Sequence, residues 1–332
     1  MRIGVIGGTG NISLSFVKLL LQLGHEVTCC NRGKSAEVPA GARQLVVDRA
    51  VRAEFEATMQ AQRFEAVIDM ICFNAEDAAS SIRATRGPWL KHFVHCSTVC
   101  TYGVAYEWLP AGEDHPLRPI SDYGRNKVAA DHVFLAAFHQ DGFPVTIIKP
   151  SSTFGPKMGA LRQVAWDLSW IDRVRRGLPI LVCGDGLALH QFLHVDDAAL
   201  CFAHVVGREH CIGQTYNMVK RGFTTWVDYH RTAMRVLGRE VELVGVPLAD
   251  LVALNVPGVG ICRDIFAHNV YYDGDKLYRD VPEFRPQISL EEGLRRVFAA
   301  LDQAGRIPDA SKLTWEDTVI AAQRRVRDTK LA

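Results

Sequence analysis

The sequence has no apolar run long enough to cross a membrane and almost no excess of either charge. None of its hydrophobic segments approaches the roughly 20 apolar residues that a spanning helix needs. Its 38 lysines and arginines are balanced by 37 aspartates and glutamates, so nucleic acid and membrane surfaces are not expected partners. The chain also lacks the basic start, apolar core and small-residue cleavage site of a secretory signal, and we expect a cytoplasmic protein.

Patterns typical of disulfides and metal sites are missing as well. Nine cysteines are present, but none forms a Cys-x-x-Cys pair, and this odd number on mostly apolar segments indicates reduced thiols. His190 and His194 lie four residues apart on an apparent strand, where that spacing does not pair two ligands as it would on a helix. We therefore predict no metal site.

The first half of the chain alternates short apolar runs with helical patterns. The runs predict strands at Arg2–Ile6, Glu26–Cys30, Gln44–Val47, Ala66–Met70, His92–Cys96 and Val145–Lys149. The intervening patterns predict helices that include Ile12–Leu23, 50–62 and 123–139. This alternation is typical of a parallel sheet covered on both faces, so the predicted fold is α/β, a Rossmann-type doubly wound parallel sheet.

The alternation of strands and helices ends after Pro150, where a loop-like segment precedes an amphipathic helix predicted to run to about Arg176. We place a dinucleotide-binding domain at 1–155, rejoined by about 186–218, and a smaller C-terminal α/β substrate lobe at 156–185 and 219–305. Residues 306–332 are predicted to form a charged helical tail. Substrate pockets in such folds lie where the lobe meets the carboxyl ends of the parallel strands.

A glycine-rich turn, Gly7-Gly8-Thr9-Gly10-Asn11-Ile12-Ser13, follows the first predicted strand and opens the first helix. Glycines at 7, 8 and 10 allow the backbone to approach a pyrophosphate, which then lies on the positive helix N-terminus. Ser13 stands where the pattern has a third glycine, and it is small enough for helix–sheet packing. The turn predicts a dinucleotide site, with a tight turn that binds no ligand as the alternative.

The end of the second strand bears on which nicotinamide cofactor is used. An acidic residue there would bind the adenosine ribose and repel a 2′-phosphate. This chain has Asn31, Arg32, Gly33 and Lys34 instead, and an arginine can bind phosphate through two hydrogen bonds. We predict NAD(P) with NADP favoured and Asp48 facing the adenine. A solvated loop with NAD held through Asn31 is the alternative.

Tyr123 and Lys127 lie one helical turn apart, downstream of Thr98 at the end of a core strand. A phenol with a pKa of about 10 is a poor base at neutral pH, but a neighbouring lysine stabilises the phenolate. Tyr123 can then remove a hydroxyl proton while hydride leaves the same carbon, with Thr98 hydrogen-bonded to the same oxygen. A lone Tyr-x-x-x-Lys is more often an exposed helix face, and the upstream glycine turn and Thr98 favour catalysis.

With these residues the chain resembles the extended or atypical short-chain dehydrogenases/reductases of the NAD-dependent epimerase/dehydratase family, which act mainly on nucleotide sugars. Lys149–Pro156, Gly184–Asp197 and Ile288–Gly293 are similar to three later motifs of that family, so the resemblance covers roughly residues 1–300. It implies catalytic roles for Thr98, Tyr123 and Lys127. It also implies cofactor contacts from residues in the turn, at strand ends and in the catalytic pair, namely Gly7, Thr9, Gly10, Asn11, Ile12, Met70, Cys96, Tyr123, Lys127, Pro150 and Ser152.

Departures from the family pattern narrow the expected chemistry. Family dehydratases carry an Asp-Glu pair just after the catalytic threonine, and sugar-nucleotide decarboxylases typically keep the second acid. This chain has Val99 and Cys100 there, which disfavours both activities. In the branch that epimerises beside a ketone, a cysteine at this place acts as acid/base, and Cys100 could do so with a lowered pKa. A small buried thiol without a catalytic role is the alternative.

Substrate recognition departs from the family pattern too. His190 stands where the family often has an arginine for a nucleotide diphosphate, and Ser152 replaces an asparagine. We expect substrate contacts from Thr98, Ser152, His190 and Arg263, with other positive charge available on Arg162, Arg173, Arg175 or Arg176. Asp69, at the end of the fourth strand, is either a cofactor contact or a polar core residue.

The predicted function is a redox-neutral, NAD(P)-dependent epimerase of a sugar, nucleotide-linked as the resemblance implies, that works through a keto intermediate. The alternative is an NADPH-dependent reductase or dehydrogenase of a sugar or polyol, because Arg32 and Lys34 suit a dissociable NADPH. A non-catalytic NADP(H) sensor is a third hypothesis, although a sensor has no need of Thr98, Tyr123 and Lys127 together. The resemblance also implies a homodimer formed through the helix that carries Tyr123 and the helix before it.

Overall fold

The computed structural model of the 332-residue chain describes residues 1–34 and 38–329. Its strands are β1 (Arg2–Ile6), β2 (Glu26–Asn31), β3 (Arg43–Val46), β4 (Ala66–Asp69), β5 (His92–Cys96), β6 (Val145–Pro150), β7 (Ser152–Phe154), β8 (Ile180–Cys183), β9 (Leu189–His190), β10 (Phe192–His194), β11 (Thr215–Met218), β12 (Thr224–Thr225) and β13 (Leu243–Val246). Its α-helices are α1 (Ser13–Gln22), α2 (Arg52–Gln62), α3 (Ala75–Thr85), α4 (Asp122–Asp141), α5 (Ser169–Arg176), α6 (Val195–Val205), α7 (Trp226–Leu237), α8 (Leu248–Ala253), α9 (Val259–Ile261), α10 (Asp275–Asp280), α11 (Leu290–Gln303) and α12 (Trp315–Asp328). Short 3₁₀ turns occupy Val99–Tyr102, Glu209–Cys211 and Ala310–Lys312, and Cys262–Phe266 forms a π-helical turn.

Seven parallel strands form one sheet in the order β11-β6-β5-β4-β1-β2-β3. The strand β1 lies inside the sheet and pairs with β2 on one side and β4 on the other, with Val5 opposite both Cys29 and Ile68. These strands are buried along most of their length, as expected when both faces of a parallel sheet are covered. The carboxyl ends of β1, β4, β5 and β6 therefore lie along one edge of the sheet.

Each face of the sheet is covered by its own group of helices. On one face, Phe16 and Leu20 of α1 pack in one hydrophobic cluster with Phe202 of α6. On the other, apolar residues of α2, α3 and α4 share a cluster with the sheet, among them Phe55 and Phe134. This arrangement confirms the predicted doubly wound α/β fold.

The chain divides into two compact units, each assembled from several stretches. The first contains Met1–Thr153, Leu193–Arg221 and Tyr272–Gln287, and the second contains Phe154–Phe192, Gly222–Tyr271 and Ile288–Ala332. The main differences from the predicted division are that Tyr272–Gln287 returns to the first unit, that residues 186–192 belong to the second, and that the C-terminal tail is part of the second. Residues 330–332 of that tail lie outside the described range.

The second unit has a small core of its own around the parallel pair β8 and β13. Leu181 and Val244 of this pair pack with Val319 and Ile320 of α12, which anchors the C-terminal helix to the unit. The helix α5 is shorter than the predicted one, because the Asp167 carboxylate accepts the Ser169 backbone N–H at 2.7 Å and the helix starts there. Within the described residues, no helix is both long and apolar enough to cross a bilayer.

Candidate active site

The glycine turn has no room for side chains at Gly7 and Gly8, before the start of α1. Gly7 has a φ of +81°, and a Cβ atom there would lie 2.8 Å from Ile71. A Cβ at Gly8 would lie 2.7 Å from the Cys29 sulfur, so both positions require glycine. Ser13 does more than replace a third glycine: its hydroxyl accepts the Gly10 N–H and donates to the Gly7 carbonyl, both at 2.7 Å. Through these two hydrogen bonds the Ser13 side chain holds Gly7 and Gly10 of the turn together.

The first turn of α1 is open to an anion. Ile12 precedes the helix and forms no side-chain cap, and no acidic residue lies in the first turn. Backbone N–H groups at such a helix N-terminus suit a pyrophosphate. Thr9, Asn11 and Ile12 lie in this turn, as predicted for cofactor contacts, and the residues present fit a dinucleotide.

At the end of β2 the side chain of Asn31 organises the loop that follows it. Its carbonyl oxygen accepts the Gly33 N–H at 2.9 Å and the Gln44 amide at 3.1 Å. Arg32 and Lys34 are exposed, and within residues 1–34 and 38–329 neither forms an ion pair. Asp48, two residues beyond β3, accepts the Ala50 N–H at 3.0 Å. Among its described residues the loop therefore presents two cations and no carboxylate beside the predicted ribose position, and Glu37 lies outside the described range.

Asp69 is a polar core residue. It is fully buried, and Arg49 binds both of its carboxylate oxygens, at 3.1 and 3.2 Å. Ser81 and the Ile71 N–H also donate to it, at 2.7 and 3.0 Å. With its oxygens occupied in this way, Asp69 holds α3 and the end of β4 in place, which decides between the two roles predicted for it.

The predicted catalytic residues come together at the carboxyl ends of β4 and β5. Lys127 is buried, and its ammonium donates to the carbonyls of Cys72 and Cys96, each at 2.7 Å. The Tyr123 ring, one turn earlier on α4, lies 5.9 Å from that ammonium, and the Thr98 side chain lowers the pKa of the Tyr123 hydroxyl. The Ser121 hydroxyl caps α4 through the Gly124 N–H at 3.1 Å, which fixes where Tyr123 enters the helix.

The Tyr123 side chain is partly exposed to solvent, but its hydroxyl is desolvated. The residue as a whole is 45 % exposed, yet desolvation raises the pKa of its hydroxyl above the usual value. A charge on Cys96 or Cys100 would raise that pKa further, and the hydrogen bond with Thr98 lowers it. In the protein without cofactor Tyr123 is therefore a neutral phenol at physiological pH, able to donate or share a hydrogen bond but not to act as a base.

Thr98 lies two residues beyond the end of β5 and caps the 3₁₀ turn that carries Cys100. Its hydroxyl accepts the Cys100 N–H at 3.2 Å, and its carbonyl accepts the Thr101 hydroxyl at 2.9 Å. Cys100 is partly exposed, whereas the other eight cysteines are buried. Val99 is buried, so no carboxylate occupies either of the two positions that follow Thr98.

The other predicted cofactor residues occupy the same edge of the sheet. Cys96 is the last residue of β5 and Pro150 the last of β6, where it pairs with Met218. The Met70 N–H donates to the Ile6 carbonyl at 3.0 Å, directly beside the glycine turn. Ser152 is half-buried at the start of β7. All of these residues belong to the first unit.

The prediction that His190 contacts substrate is wrong. His190 is completely buried in the second unit, with the rings of Trp226, Phe266 and Phe192 between 5.1 and 6.0 Å away. Burial lowers its pKa to about 3, so it is neutral. His190 stands at the position where the family often has an arginine for the substrate, but here it packs among aromatic rings as a core residue.

The arginines proposed as alternative sources of positive charge are engaged by carboxylates. Arg162 binds Glu316 at 2.8 Å and Arg173 binds Asp317 at 2.6 Å, and both arginines are buried. The exposed ones pair as well, Arg175 with Asp302, Arg176 with Asp172 and Asp309, and Arg263 with its neighbour Asp264, each at 2.7 Å. The expectation that Arg263 binds substrate is therefore not supported by its contacts.

Two buried charged residues that the sequence patterns did not identify lie behind the catalytic group. Asp131 follows Lys127 by one turn on the same face of α4, and Lys149 lies on β6. Their nitrogen and oxygen atoms are 3.6 Å apart. The spacing in the sequence could have indicated Asp131, since Tyr123, Lys127 and Asp131 follow one another at intervals of four residues. Lys149 could have been found as a charged residue inside an otherwise apolar strand.

Comparison with known proteins agrees with this geometry. The profile of the NAD dependent epimerase/dehydratase family matches residues 3–218. The 2′-dehydrokanamycin reductase of Streptomyces kanamyceticus is 28 % identical over 311 residues, 93 % of this chain and 87 % of that protein. The chloroplast stem-loop binding protein of 41 kDa b of Arabidopsis thaliana is 26 % identical over 337 residues, 96 % of this chain and 84 % of that protein.

Among solved structures, the UDP-glucose 4-epimerase of Thermotoga maritima with UDP-glucose superimposes with a TM-score of 0.74 at 21 % identity, over 92 % of this chain and 99 % of that one. At that identity the likeness concerns the fold. The family profile covers the glycine turn, the Thr98 turn and the Tyr123/Lys127 helix, which are the elements assembled above. The chain therefore belongs to the NAD-dependent epimerase/dehydratase family, as an enzyme of the extended short-chain dehydrogenase/reductase type.

Proposed function

We propose that this chain is an NAD(P)-dependent epimerase of a nucleotide-linked sugar, which inverts a carbinol carbon through a transient keto intermediate. One observation carries the proposal: Tyr123 lies one helical turn from the buried Lys127, with the Thr98 side chain lowering the pKa of its hydroxyl, in a site with no carboxylate at positions 99 and 100. Such a site can exchange a proton at a hydroxyl. It lacks the acid and base pair that elimination of water requires.

In this proposal each residue has one task. Thr98 and Tyr123 bind the same substrate oxygen, and Tyr123 removes its proton as hydride leaves the carbon below it. Lys127 stabilises the phenolate from a position fixed by the Cys72 and Cys96 carbonyls. When bound, the cofactor would accept that hydride and return it to the other face of the ketone. Tyr123 gives the proton back at the end, so the reaction is redox-neutral.

We propose NADP over NAD as the cofactor. Arg32 and Lys34 are exposed at the end of β2, and the Asn31 carbonyl oxygen is already used by Gly33 and Gln44. A 2′-phosphate would meet two cations there, and none of the described residues of that loop is acidic.

The nucleotide part of the substrate is supported by family membership and by the UDP-glucose bound to the Thermotoga enzyme. The paired arginines of the second unit give it no support, so a sugar without a nucleotide is the direct competitor. We do not extend the stem-loop binding of the Arabidopsis relative to this chain, because a net charge of +1 offers little surplus for a polyanion. A soluble homodimer is part of the proposal and rests on the family resemblance.

The test is turnover of UDP- and dTDP-hexoses, and of keto-sugars without a nucleotide, in deuterium oxide with the cofactor identified by mass spectrometry. An epimerase gives the inverted sugar without solvent deuterium at the inverted carbon and without net change of NAD(P)H. Solvent deuterium at a carbon beside a ketone would instead place acid/base chemistry on Cys100. If no sugar reacts and no dinucleotide binds, the proposed function is wrong.

A net NADPH-dependent reductase of a keto-sugar is the second candidate, favoured by Arg32 and Lys34 and by the long match to the Streptomyces reductase. Continuous loss of NADPH absorbance with a keto-sugar, in protein that purifies without cofactor, would support it over the epimerase. In either case Tyr123→Phe should lower kcat by a factor of about 10² to 10⁴, because one proton-transfer group is lost. The Kd of this variant for NADPH should change little. Substantial residual turnover by the Tyr123→Phe variant would contradict the catalytic role of Tyr123.

A further inference from the structure

A buried chain of polar contacts links the helix that carries Tyr123 to the turn that carries Thr98. It begins at Asp131 on α4, which is almost completely buried. One carboxylate oxygen accepts the Ser97 hydroxyl at 2.9 Å, and Ser97 is the residue before Thr98. The other oxygen lies 3.2 Å from His95 on β5. A single side chain of α4 thus binds both the end of β5 and the residue next to the catalytic threonine.

Lys149 continues the chain from the opposite side. Its ammonium lies 3.6 Å from the Asp131 carboxylate and donates to the Thr101 hydroxyl at 2.9 Å. Thr101 in turn donates to the Thr98 carbonyl at 2.9 Å. The same ammonium lies 4.5 Å from the centre of the Tyr102 ring, whose hydroxyl donates to Asn217 at 2.8 Å. Lys149 therefore contacts the last two residues of the turn Val99–Tyr102 and reaches Thr98 through the Thr101 hydroxyl.

Stability alone is a weak reason for such an arrangement. Desolvation of two buried charges costs several kcal/mol, and an apolar pair of equal volume often stabilises a fold as well or better. Hydrogen bonds to a charged pair do, however, fix directions that apolar packing leaves free. Here the fixed directions are those of the Thr98 turn relative to Tyr123, and a misplacement of about 1 Å between reacting groups can cost about 10²-fold in rate.

We infer that Asp131 and Lys149 are positioning residues, which hold Thr98 at the distance from Tyr123 that proton transfer requires and act through Ser97 and Thr101. The inference rests on the proposed function, because it assigns these residues a purpose in the same reaction. It predicts that breaking the link costs rate more than it costs binding or stability.

The test uses Thr101→Val, which removes the hydroxyl between Lys149 and Thr98 and leaves the ion pair in place. Thr146→Val is the matched control, a buried threonine on β6 whose hydroxyl binds His92 at 2.8 Å, away from the turn. We expect both variants to lose similar stability, and only Thr101→Val to lower kcat, by about 10-fold to 100-fold with KM nearly unchanged. A common small effect of the two substitutions on kcat would overturn the inference.

The double variant Asp131→Asn/Lys149→Met separates positioning from stability, because no charge is left unpaired. We expect this double variant to melt close to the wild-type temperature but to have a lower kcat than the wild type. A double variant with both the melting temperature and the kcat of the wild type would mean that the pair is only structural.

A readout that needs no turnover distinguishes failure of this inference from failure of the proposed function. Cys100 lies on the same turn and is the only partly exposed cysteine, so iodoacetamide should alkylate it first. Thr101→Val should change that rate several-fold and Thr146→Val should not. If the wild type turns over no sugar but the alkylation rates differ as expected, the proposed function fails and the positioning of the turn stands. Equal alkylation rates overturn the positioning, whatever the enzyme does.

Discussion

Tyr123 is a phenol whose pKa the folded protein raises by desolvation, so its usefulness as a base depends on what binds beside it. An opposite charge within about 4–6 Å lowers a pKa by about 1–3 units, and an oxidised nicotinamide ring carries such a charge. The sign follows: without cofactor Tyr123 stays protonated above its ordinary range, and with the oxidised cofactor it ionises at lower pH. We expect the phenolate absorbance that distinguishes wild type from Tyr123→Phe to appear at a pH about 1–3 units lower with saturating NADP⁺ than without cofactor. NADPH is the control, because it lacks the charge and should produce no shift. A titration that is identical with and without NADP⁺ would contradict this account.

Arg32 provides the second prediction at this scale. Its guanidinium is exposed at the end of β2, where a 2′-phosphate would lie. Arg32→Ala should raise the Kd for NADPH by about tenfold or more, because a charge-assisted hydrogen bond contributes roughly 1.5–3 kcal/mol, and should leave the Kd for NADH nearly unchanged. Arg43→Ala, a change at an exposed arginine on β3, is the control and should affect the two alike. Equal losses for NADPH and NADH on Arg32→Ala would remove the case for NADP.

The sequence was sufficient for Thr98, Tyr123 and Lys127 because their spacing along a strand end and a helix dictates their neighbourhood. It was insufficient for His190 and the arginines, since their roles depend on partners distant in sequence. Glu316, for example, lies 154 residues from Arg162. Asp69 is a third case: only the fold shows that Arg49 and Ser81 enclose its carboxylate.

At the scale of elements, capping residues fix where several helices begin. Ser121, Asn74 and Ser289 each accept an N–H from the first turn of α4, α3 and α11, and all three are good N-cap residues. The start of α5 was wrong because helical periodicity continues through 163–168, whereas the helix begins only at Ser169, whose N–H is accepted by the Asp167 carboxylate just before it. Periodicity shows that a helix exists, and a side-chain hydrogen bond decides where it begins.

Buried ion pairs attach the C-terminal helix α12, although its sequence has the pattern of an ordinary polar helix. Glu316 is buried, and one of its oxygens accepts Arg162 at 2.8 Å and the Leu181 N–H at 2.9 Å. Glu316→Gln leaves two buried guanidinium groups without that charge, and we expect the free energy of unfolding to fall by about 3–5 kcal/mol. Glu240→Gln, at an exposed position, should change it by less than about 0.5 kcal/mol. Urea denaturation of the three proteins measures both, and similar values would mean that α12 is held by its apolar face alone.

For the whole molecule, the alternation of apolar runs and helices was enough to predict the sheet, because a parallel sheet needs continuous apolar strands and crossover helices. The division into two units was only partly predictable. Residues 272–287 carry no strong pattern, yet they return to the first unit, where Tyr278 and Phe284 pack with the β1 and α1 core. Contacts between stretches far apart in the sequence decide such boundaries.

Buried neutral histidines set the response of the whole molecule to acid. Burial lowers the pKa of His92 to about 4 and of His190 and His230 to about 3. A histidine whose folded pKa lies below its unfolded value of about 6.5 is protonated more readily in the unfolded chain, so stability is lost as pH falls below about 6.5. By pH 5 each histidine costs about 2 kcal/mol, and three together approach the whole stability of an ordinary domain.

We therefore expect urea denaturation followed by tryptophan fluorescence to show a steep fall in the free energy of unfolding between pH 6.5 and 5. The ring of His230 lies 5.2 Å from that of Trp170, so phenylalanine is a tolerable replacement. His230→Phe should reduce the fall by about 2 kcal/mol, while His132→Gln, at an exposed position, should not alter it. If wild type and His230→Phe lose the same free energy over this range, His230 is not the neutral core residue that its burial implies, and the acid sensitivity must come from the paired carboxylates instead.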